Sequence, residues 1–125
     1  MRVLNIKNIS RSLPQPIQAR YCDSFLCRLK GLTFRRSLDP QEGLLLVQPR
    51  ENRLDAAIHM LFVPIDLTVV WVNEARVIVD LKLARRWRPF YIPAQPAKYI
   101  LEVADSWLPS FQVGDQLDFE EAHLA

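Results

Sequence analysis

The side chains that could act as acids, bases, nucleophiles or metal ligands are few and scattered in this chain of 125 residues. The histidines and cysteines are His59, His123, Cys22 and Cys27. His59 lies in an apolar stretch that also contains Asp66, and Glu102 lies in a later segment where apolar and polar residues alternate. Because a buried carboxylate is costly unless it is paired, Asp66 and Glu102 must lie at a surface, bind donor groups or serve a site.

These side chains predict a small polar site rather than a recognisable catalytic motif. The leading hypothesis is a non-catalytic domain for small-ligand binding or accessory interactions. Its pocket or exposed face would be formed by His59, Asp66, Tyr91, Lys98 and Glu102. The alternative is a small-molecule enzyme that uses His59 with Asp66 or Glu102 as an acid–base pair. A structural interpretation also stays open, in which the two carboxylates bind arginine, lysine or backbone donors.

Neither a metal nor a cofactor is predicted. One histidine with widely separated carboxylates lacks a zinc-binding spacing such as HExxH. Gly31, Gly43 and Gly114, the three glycines of the chain, lie too far apart for a GxGxxG or Walker A loop. Their spacing therefore argues against a nucleotide site of the dinucleotide-binding, P-loop or kinase type.

A second candidate binding segment spans residues 85–91, where arginines alternate with aromatic residues. Cations beside aromatic rings hold single-stranded nucleic acid in many proteins, and the residues concerned here are Arg85, Arg86, Trp87 and Arg88. The formal net charge of +2, however, is too small to favour a nucleic-acid partner. We expect an exposed crossing segment whose arginine stems cover apolar surface, and a patch for a protein partner is the remaining alternative.

The composition, with 50% hydrophobic and 24% charged residues, indicates one globular domain over residues 1–125. The most apolar stretch, residues 56–72, is interrupted by His59, Pro64 and Asp66 and is shorter than the ~20 residues that a membrane-spanning helix needs. The first residues contain no apolar signal segment. We therefore expect a protein without a membrane span, located in the cytoplasm.

The expected location also predicts the redox state of the two cysteines. Cytoplasmic proteins keep their thiols reduced, so we expect Cys22 and Cys27 to be free thiols, with a disulfide disfavoured. A buried cysteine commonly serves as a small apolar residue. The catalytic alternative makes Cys22, near the start of a helix, a nucleophile with His59 as its base.

Short strands and one short helix must position these residues. Alternating or continuous apolar runs predict strands over residues 3–9, 17–21, 43–48, 57–62, 65–72, 77–83, 98–104 and 116–121. A helix is predicted from Asp23 as N-cap to Gly31 at its end, with Phe25, Leu26 and Leu29 as an apolar stripe. The fold class is mostly β, a small β-sandwich or partly open β-barrel of about eight strands with one short α-helix. No alternation of strands and helices supports a parallel sheet.

Four segments, taken in order, resemble a known family. They are residues 25–35, 42–47, 58–67 and 96–102, the last followed by 113–115. Together they resemble the domain-of-unknown-function 192 family of small bacterial and archaeal proteins over about residues 23–119. The resemblance implies a compact, mostly β domain with a short helix. Because the family has no established activity, the resemblance implies no catalytic residue. Thr33 departs from the family pattern, which often has Met there, and residues 73–76 lack the usual turn glycine.

Overall fold

A computed structural model describes residues 2–122 of the chain, so His123 lies outside the described residues. The strands are β1 (Val3–Asn8), β2 (Ile17–Cys22), β3 (Glu42–Asn52), β4 (Leu67–Val72), β5 (Ile78–Ala84), β6 (Ala97–Ala104) and β7 (Leu117–Glu121). The helices are α1 (Phe25–Lys30) and a single 3-10 helix, Asp105–Ser110. The predicted mostly β fold is confirmed, and of its two forms the partly open barrel is the one observed, as a curled half-barrel sheet.

All seven strands form one sheet in the order β5-β4-β6-β3-β2-β1-β7. Every neighbouring pair is antiparallel except β2 and β3, which are parallel. The connection between these two strands contains α1. The fold therefore includes one strand–helix–strand unit; both strands and the helix were predicted, but their parallel pairing was not.

The two edge strands approach each other at one end of the curl. Val77 and Gln116 form an isolated antiparallel bridge, and the Ile78 amide donates to the Asp115 carbonyl over 2.9 Å. The buried Asp115 carboxylate accepts hydrogen bonds from Asn8 Nδ2 over 2.9 Å and from Arg11 Nε over 2.8 Å. The bond from Arg11 is the main reason that the pKa of Asp115 is lowered. This charged group thus ties β1 to the turn that precedes β7.

Apolar side chains form a core on each face of the sheet. The first core draws on all seven strands and includes Trp107 of the 3-10 helix, so it lies within the curl. The second core lies between the other face, α1 and the loop of residues 56–63. Adjacent residues of β3 belong to different cores, with Leu45 in the first and Leu46 in the second. The strand predicted at residues 43–48 is therefore confirmed, and its continuous apolar run is explained by burial on both faces.

The strand predicted over residues 57–62 is wrong, which reduces the count from eight to seven. Ile58 makes only an isolated bridge to Tyr91, and a turn follows in which the Val63 amide donates to the Met60 carbonyl over 3.1 Å. Ile58 and Met60 are nevertheless buried, while Phe62 is exposed. The apolar run therefore reports burial in a loop that covers the second core rather than pairing in the sheet.

The helix α1 occupies the predicted place, but its environment differs from the prediction. Its N-cap is Ser24 rather than Asp23, because the Ser24 hydroxyl accepts a hydrogen bond from the Cys27 amide over 3.1 Å. The apolar stripe predicted for this helix is more than half exposed at each of its residues, Phe25, Leu26 and Leu29. No residue of α1 is buried. A crossover this short contacts the core through Cys27, which is half-buried, and through Leu32 beyond its end.

The expected free thiols are wrong, because Cys22 and Cys27 form a disulfide. Cys22 ends β2 and Cys27 lies in the first turn of α1, so the turn between them brings their Cα atoms to 5.7 Å, within the usual range for a disulfide. The expectation came from the compartment and did not use this proximity. A bonded sulfur cannot act as the thiolate nucleophile that was considered for Cys22.

Within residues 2–122, no helix combines the length and the apolar composition needed to cross a bilayer. The expected cytoplasmic location stays a prediction.

Candidate functional site

A cavity of about 390 Å³ lies between α1, the sheet and the loop of residues 55–63. The strand β3 contributes Leu46 and Gln48 to its wall, and β6 contributes Ile100 and Glu102. The remaining lining side chains that matter for its chemistry are Phe25, Arg28, Leu29 and His59. Segments distant in the chain therefore form this cavity, and α1 is one of its walls.

Glu102 is the most unusual side chain of the cavity. It lies opposite Leu44 and Val69 in the ladder of β6 and is only 4% exposed. Burial raises the pKa of Glu102 to about 7, and burial is the only cause of the shift. Within residues 2–122 the buried Oε1 atom has no hydrogen-bond partner. The carboxyl group is therefore poised between its neutral and ionised forms near neutral pH, with a free oxygen.

Gly31 lets the chain after α1 approach this carboxyl group. Its φ is 50°, a left-handed conformation that favours glycine, and a Cβ there would lie 3.8 Å from Glu102 Oε1. The Gly31 amide donates to the Cys27 carbonyl over 2.9 Å, which ends the helix. The end of α1 is thereby held against the buried oxygen.

His59 supplies the second unpaired polar atom. The side chain is half-buried in the loop that covers the second core, and its Nδ1 atom is buried without a hydrogen-bond partner in the described chain. Native proteins leave few buried polar groups unpaired, and here two residues that carry such an atom, Glu102 and His59, line one cavity.

Arg28 also lines the cavity but is occupied by the main chain. Its Nη1 atom donates to the carbonyl oxygen of Asp23 and, over 3.3 Å, to that of Val47. No cation contributes to the pKa shift of Glu102. Glu102 is therefore not paired with a cation among residues 2–122, although charged side chains also line the cavity, namely Arg28, Lys30 and Asp55.

Asp66 lies outside this cavity, in the wall of a smaller recess of about 290 Å³. Its Oδ1 atom accepts hydrogen bonds from the Arg86 amide over 2.8 Å and from Arg86 Nε over 3.3 Å, and Arg85 Nη1 lies 3.6 Å from Oδ2. The backbone bond from Arg86 is the largest cause of the lowered pKa of Asp66. Asp66 thus fixes the start of the 85–91 segment and does not meet His59 or Glu102.

Tyr91 and Lys98 also lie outside the cavity lining. The buried Tyr91 exchanges backbone hydrogen bonds with Ile58, and its hydroxyl accepts one from the Arg85 amide over 2.7 Å. Lys98 Nζ lies 3.7 Å from Glu74 Oε1. Of the five side chains predicted to share a ligand site, the structure brings together His59 and Glu102.

The arginines of the 85–91 segment face protein groups. Arg85 and Arg86 lie beside Asp66, and the Arg88 guanidinium lies 5.1 Å from the centre of the Tyr91 ring. Trp87 is exposed and packs against Phe62.

Sequence reasoning missed several lining residues. Gln48 is buried in β3, and its signal was a polar residue at the end of an apolar run. No sequence signal placed Arg28 at the rim. Among residues 2–122, no three histidine, cysteine or carboxylate side chains come together as metal ligands.

Comparison with known proteins gives relatives of similar size and longer ones. The chain is 36% identical to a UPF0127 protein of Pyrococcus furiosus over 114 residues, which cover 90% of this chain and 95% of the relative. It is 42% identical to a UPF0127 protein of Thermococcus gammatolerans over 80 residues, which cover 64% of this chain and half of that relative.

Two crystal structures share the fold. One is a protein of unknown function from Novosphingobium aromaticivorans, with a TM-score of 0.80 and 18% identity, covering 93% of this chain and 83% of that one. The other is a putative transcription regulator from Sinorhizobium meliloti, with a TM-score of 0.80 and 16% identity, covering 94% of this chain and 92% of that one. At these identities the likeness concerns the fold alone.

The resemblance noted over residues 23–119 is confirmed and extends further towards the N-terminus. The model of the DUF192 family, described as "Uncharacterized ACR, COG1430", matches residues 6–119. The chain therefore belongs to the DUF192 family, in agreement with its UPF0127 relatives.

Proposed function

We propose that this protein binds a small polar ligand in the cavity beside α1, with Glu102 and His59 as the groups that recognise it. The observation that carries the proposal is that Glu102 and His59 line the same cavity, and that each has a buried atom, Oε1 and Nδ1, without a hydrogen-bond partner among residues 2–122. A buried polar group without a partner costs about 1–3 kcal/mol. A ligand that hydrogen-bonds to both atoms would recover that free energy.

The chemistry of the cavity narrows the ligand class. A volume of about 390 Å³ lies within the range of small-molecule sites, about 300–1,000 Å³. Phe25, Leu29, Leu46 and Ile100 provide apolar wall, so the body of the ligand is apolar. Its polar end carries an N–H donor for Glu102, and a primary amine or amidine also supplies a positive charge to pair with this carboxylate. Such a ligand favours the ionised carboxylate.

Ligand-observed NMR tests this proposal with a panel of small primary amines and amidines and, for each, the carboxylic acid of the same shape. We expect amines to bind in preference to acids, and binding to strengthen as the pH rises through about 7, where Glu102 ionises. Glu102→Gln should weaken amine binding about tenfold or more, because it removes the charge at constant size.

Glu74→Gln is the matched control, since this carboxylate is exposed and lies outside the cavity lining. Equal binding of amines to the wild-type protein and to Glu102→Gln contradicts the proposal. Preference for the acids contradicts it as well.

Acid–base catalysis is the second candidate function, and the pKa of Glu102 favours it. A group with a pKa of about 7 can donate and accept a proton at neutral pH, as a general acid or base must. His59, in the same lining, would be its partner. In this case a panel member would be converted during the NMR time course, and His59→Ala would abolish conversion while the fold stayed intact. Binding without conversion supports the first proposal.

A further inference from the structure

Three exposed aromatic side chains pack against one another beside the cavity. The Phe62 ring lies 5.6 Å from the Phe34 ring and 5.6 Å from the Trp87 ring, measured between centroids. Each of the three residues is more than half exposed. We call Phe34, Phe62 and Trp87 the aromatic triad. The triad comes from three separate loops, so its assembly is a product of the fold.

The backbone of every triad residue is left-handed. The φ angles of Phe34, Phe62 and Trp87 are 66°, 60° and 66°, and among the other non-glycine residues of 2–122 only Arg76 has a positive φ. This conformation is strained for bulky L-residues, and exposed rings regain little by burial. Strained residues that the fold holds in place are typical of binding sites. Stability alone therefore does not explain aromatic residues at these positions.

Hydrogen bonds between the loops hold the triad in place. The Phe34 amide donates to the Phe62 carbonyl over 2.7 Å, and the Trp87 amide donates to the Met60 carbonyl over 3.1 Å. The rings are thus presented to solvent by a fixed backbone rather than by free loops.

Arginines flank two of the triad residues, Phe34 and Trp87, in the chain. The flanking arginines are Arg35, Arg36, Arg85, Arg86 and Arg88. Arg35 pairs with Glu42. Arg85 and Arg86 pair with Asp66, and their side chains remain 66% and 60% exposed. Within residues 2–122, no ion pair engages Arg36 or Arg88. The arginines outnumber the carboxylates that pair with them, so this surface complements an anionic partner. It disfavours face-to-face contact with a second copy.

The shape of the surface distinguishes between anionic partners. No triad residue lines either cavity; Thr33 and Val63 line the larger one, and Arg36 and Asp66 line the smaller one. The triad is therefore a ridge between two recesses, whereas a bound peptide needs a groove. The rings meet at 43° and 70°, so the triad offers no parallel pair between which a nucleic-acid base could insert.

We propose that the aromatic triad docks this protein onto the surface of an anionic lipid bilayer. The aromatic rings enter the interfacial layer, where aromatic side chains are favoured, and the flanking arginines contact lipid phosphates, which adds electrostatic attraction. This inference does not depend on the cavity being a ligand site.

Intrinsic fluorescence provides the test, because the exposure of the three tryptophans differs. Trp87 is 52% exposed, while Trp71 and Trp107 are 0% and 3% exposed. Vesicles of phosphatidylglycerol and phosphatidylcholine in equal parts should shift the Trp87 emission to the blue. Vesicles of pure phosphatidylcholine should cause little shift, and added salt should reverse binding, because electrostatic attraction is screened.

The double variant Phe34→Asn/Phe62→Asn retains Trp87 as the reporter. Loss of two rings should weaken vesicle binding by about tenfold or more. Because asparagine tolerates a left-handed backbone, the unfolding temperature should be unchanged or higher. Ile9→Asn, which replaces an exposed apolar residue outside the triad, should bind as the wild-type protein does. The proposal is overturned if anionic vesicles cause no blue shift at low salt or if the double variant binds normally. It is also overturned if a single-stranded oligonucleotide or an acidic peptide causes the shift and vesicles do not.

Discussion

Replacing Glu102 by glutamine should remove a dependence of stability on pH that the buried carboxyl group imposes. Burial raises the pKa of Glu102 from 4.5 to about 7 in the folded protein. Between these values the unfolded chain releases the proton and the folded protein keeps it, so the free energy of unfolding falls as the pH rises. The contribution is fully present below pH 4.5 and is lost as the pH rises through about 7.

The size of the effect follows from the width of that window. One pKa unit corresponds to about 1.4 kcal/mol, so the shift of Glu102 corresponds to a loss of about 3 kcal/mol of stability between acidic and mildly basic pH. Glutamine has nearly the same size and does not ionise. Relative to the wild-type protein, the Glu102→Gln variant should therefore gain about 3 kcal/mol across the window.

Urea unfolding, followed by the fluorescence of the buried Trp71 and Trp107, measures this difference from about pH 4 to about pH 8.5. Glu74→Gln is the control, because it makes the same chemical change at an exposed position. A constant difference between the Glu102→Gln variant and the wild-type protein would refute the reasoning, since it would mean that Glu102 is solvated or paired in the folded state. A difference of the opposite sign would refute it too.

Three further predictions concern the parts of the fold that frame the site. Replacing Cys27 by Ala opens the disulfide, and because that disulfide closes a loop with a sequence separation of 5, unfolding measurements should show a loss of about 2 kcal/mol, with faster trypsin cleavage at Lys30. Asp115→Asn weakens charge-assisted hydrogen bonds at a buried position and should lose about 2 kcal/mol at neutral pH. The lowered pKa of Asp115 means that this loss should shrink as the pH falls below 3.8. A loss that is independent of pH would argue against the ionised carboxylate. Gly43→Ala places a Cβ 3.1 Å from Val103 Cγ1 and should lower stability by about 1–3 kcal/mol in thermal unfolding, whereas a neutral effect would show that the sheet yields there.

Local patterns predicted much of the sheet. The strands expected over residues 65–72 and 77–83 are present as β4 and β5, which pair antiparallel. The Asn73 side chain stabilises the turn between them by accepting a hydrogen bond from the Val77 amide over 2.9 Å. Alternate residues of β4 pack in the two cores, so this strand is buried on both faces. A continuous apolar run failed as a strand signal at residues 57–62, where Ile58 and Met60 are buried by a loop.

The candidate site was only partly predictable, for a physical reason. A sequence shows that His59 and Glu102 are polar residues among apolar ones, but not that α1 lies over them. Asp66 carries the same signal and yet lies in another recess, because its partners Arg85 and Arg86 follow β5 in the chain. Of the aromatic triad only Trp87 gave a sequence signal, as part of the 85–91 segment, because the three residues meet only when their loops are assembled.

The place of β1 in the sheet bears on how the chain folds as it is made. The strand β1 lies between β2 and β7, and a ribosome completes β7 only after the other six strands. Until then one edge of β1 has no partner, and Asp115 is not yet available to Asn8. A nascent chain with an open strand edge is prone to association with other chains. Final closure of the sheet is therefore a late event, and a chain stopped before β7 should expose β1 to chaperones or to aggregation.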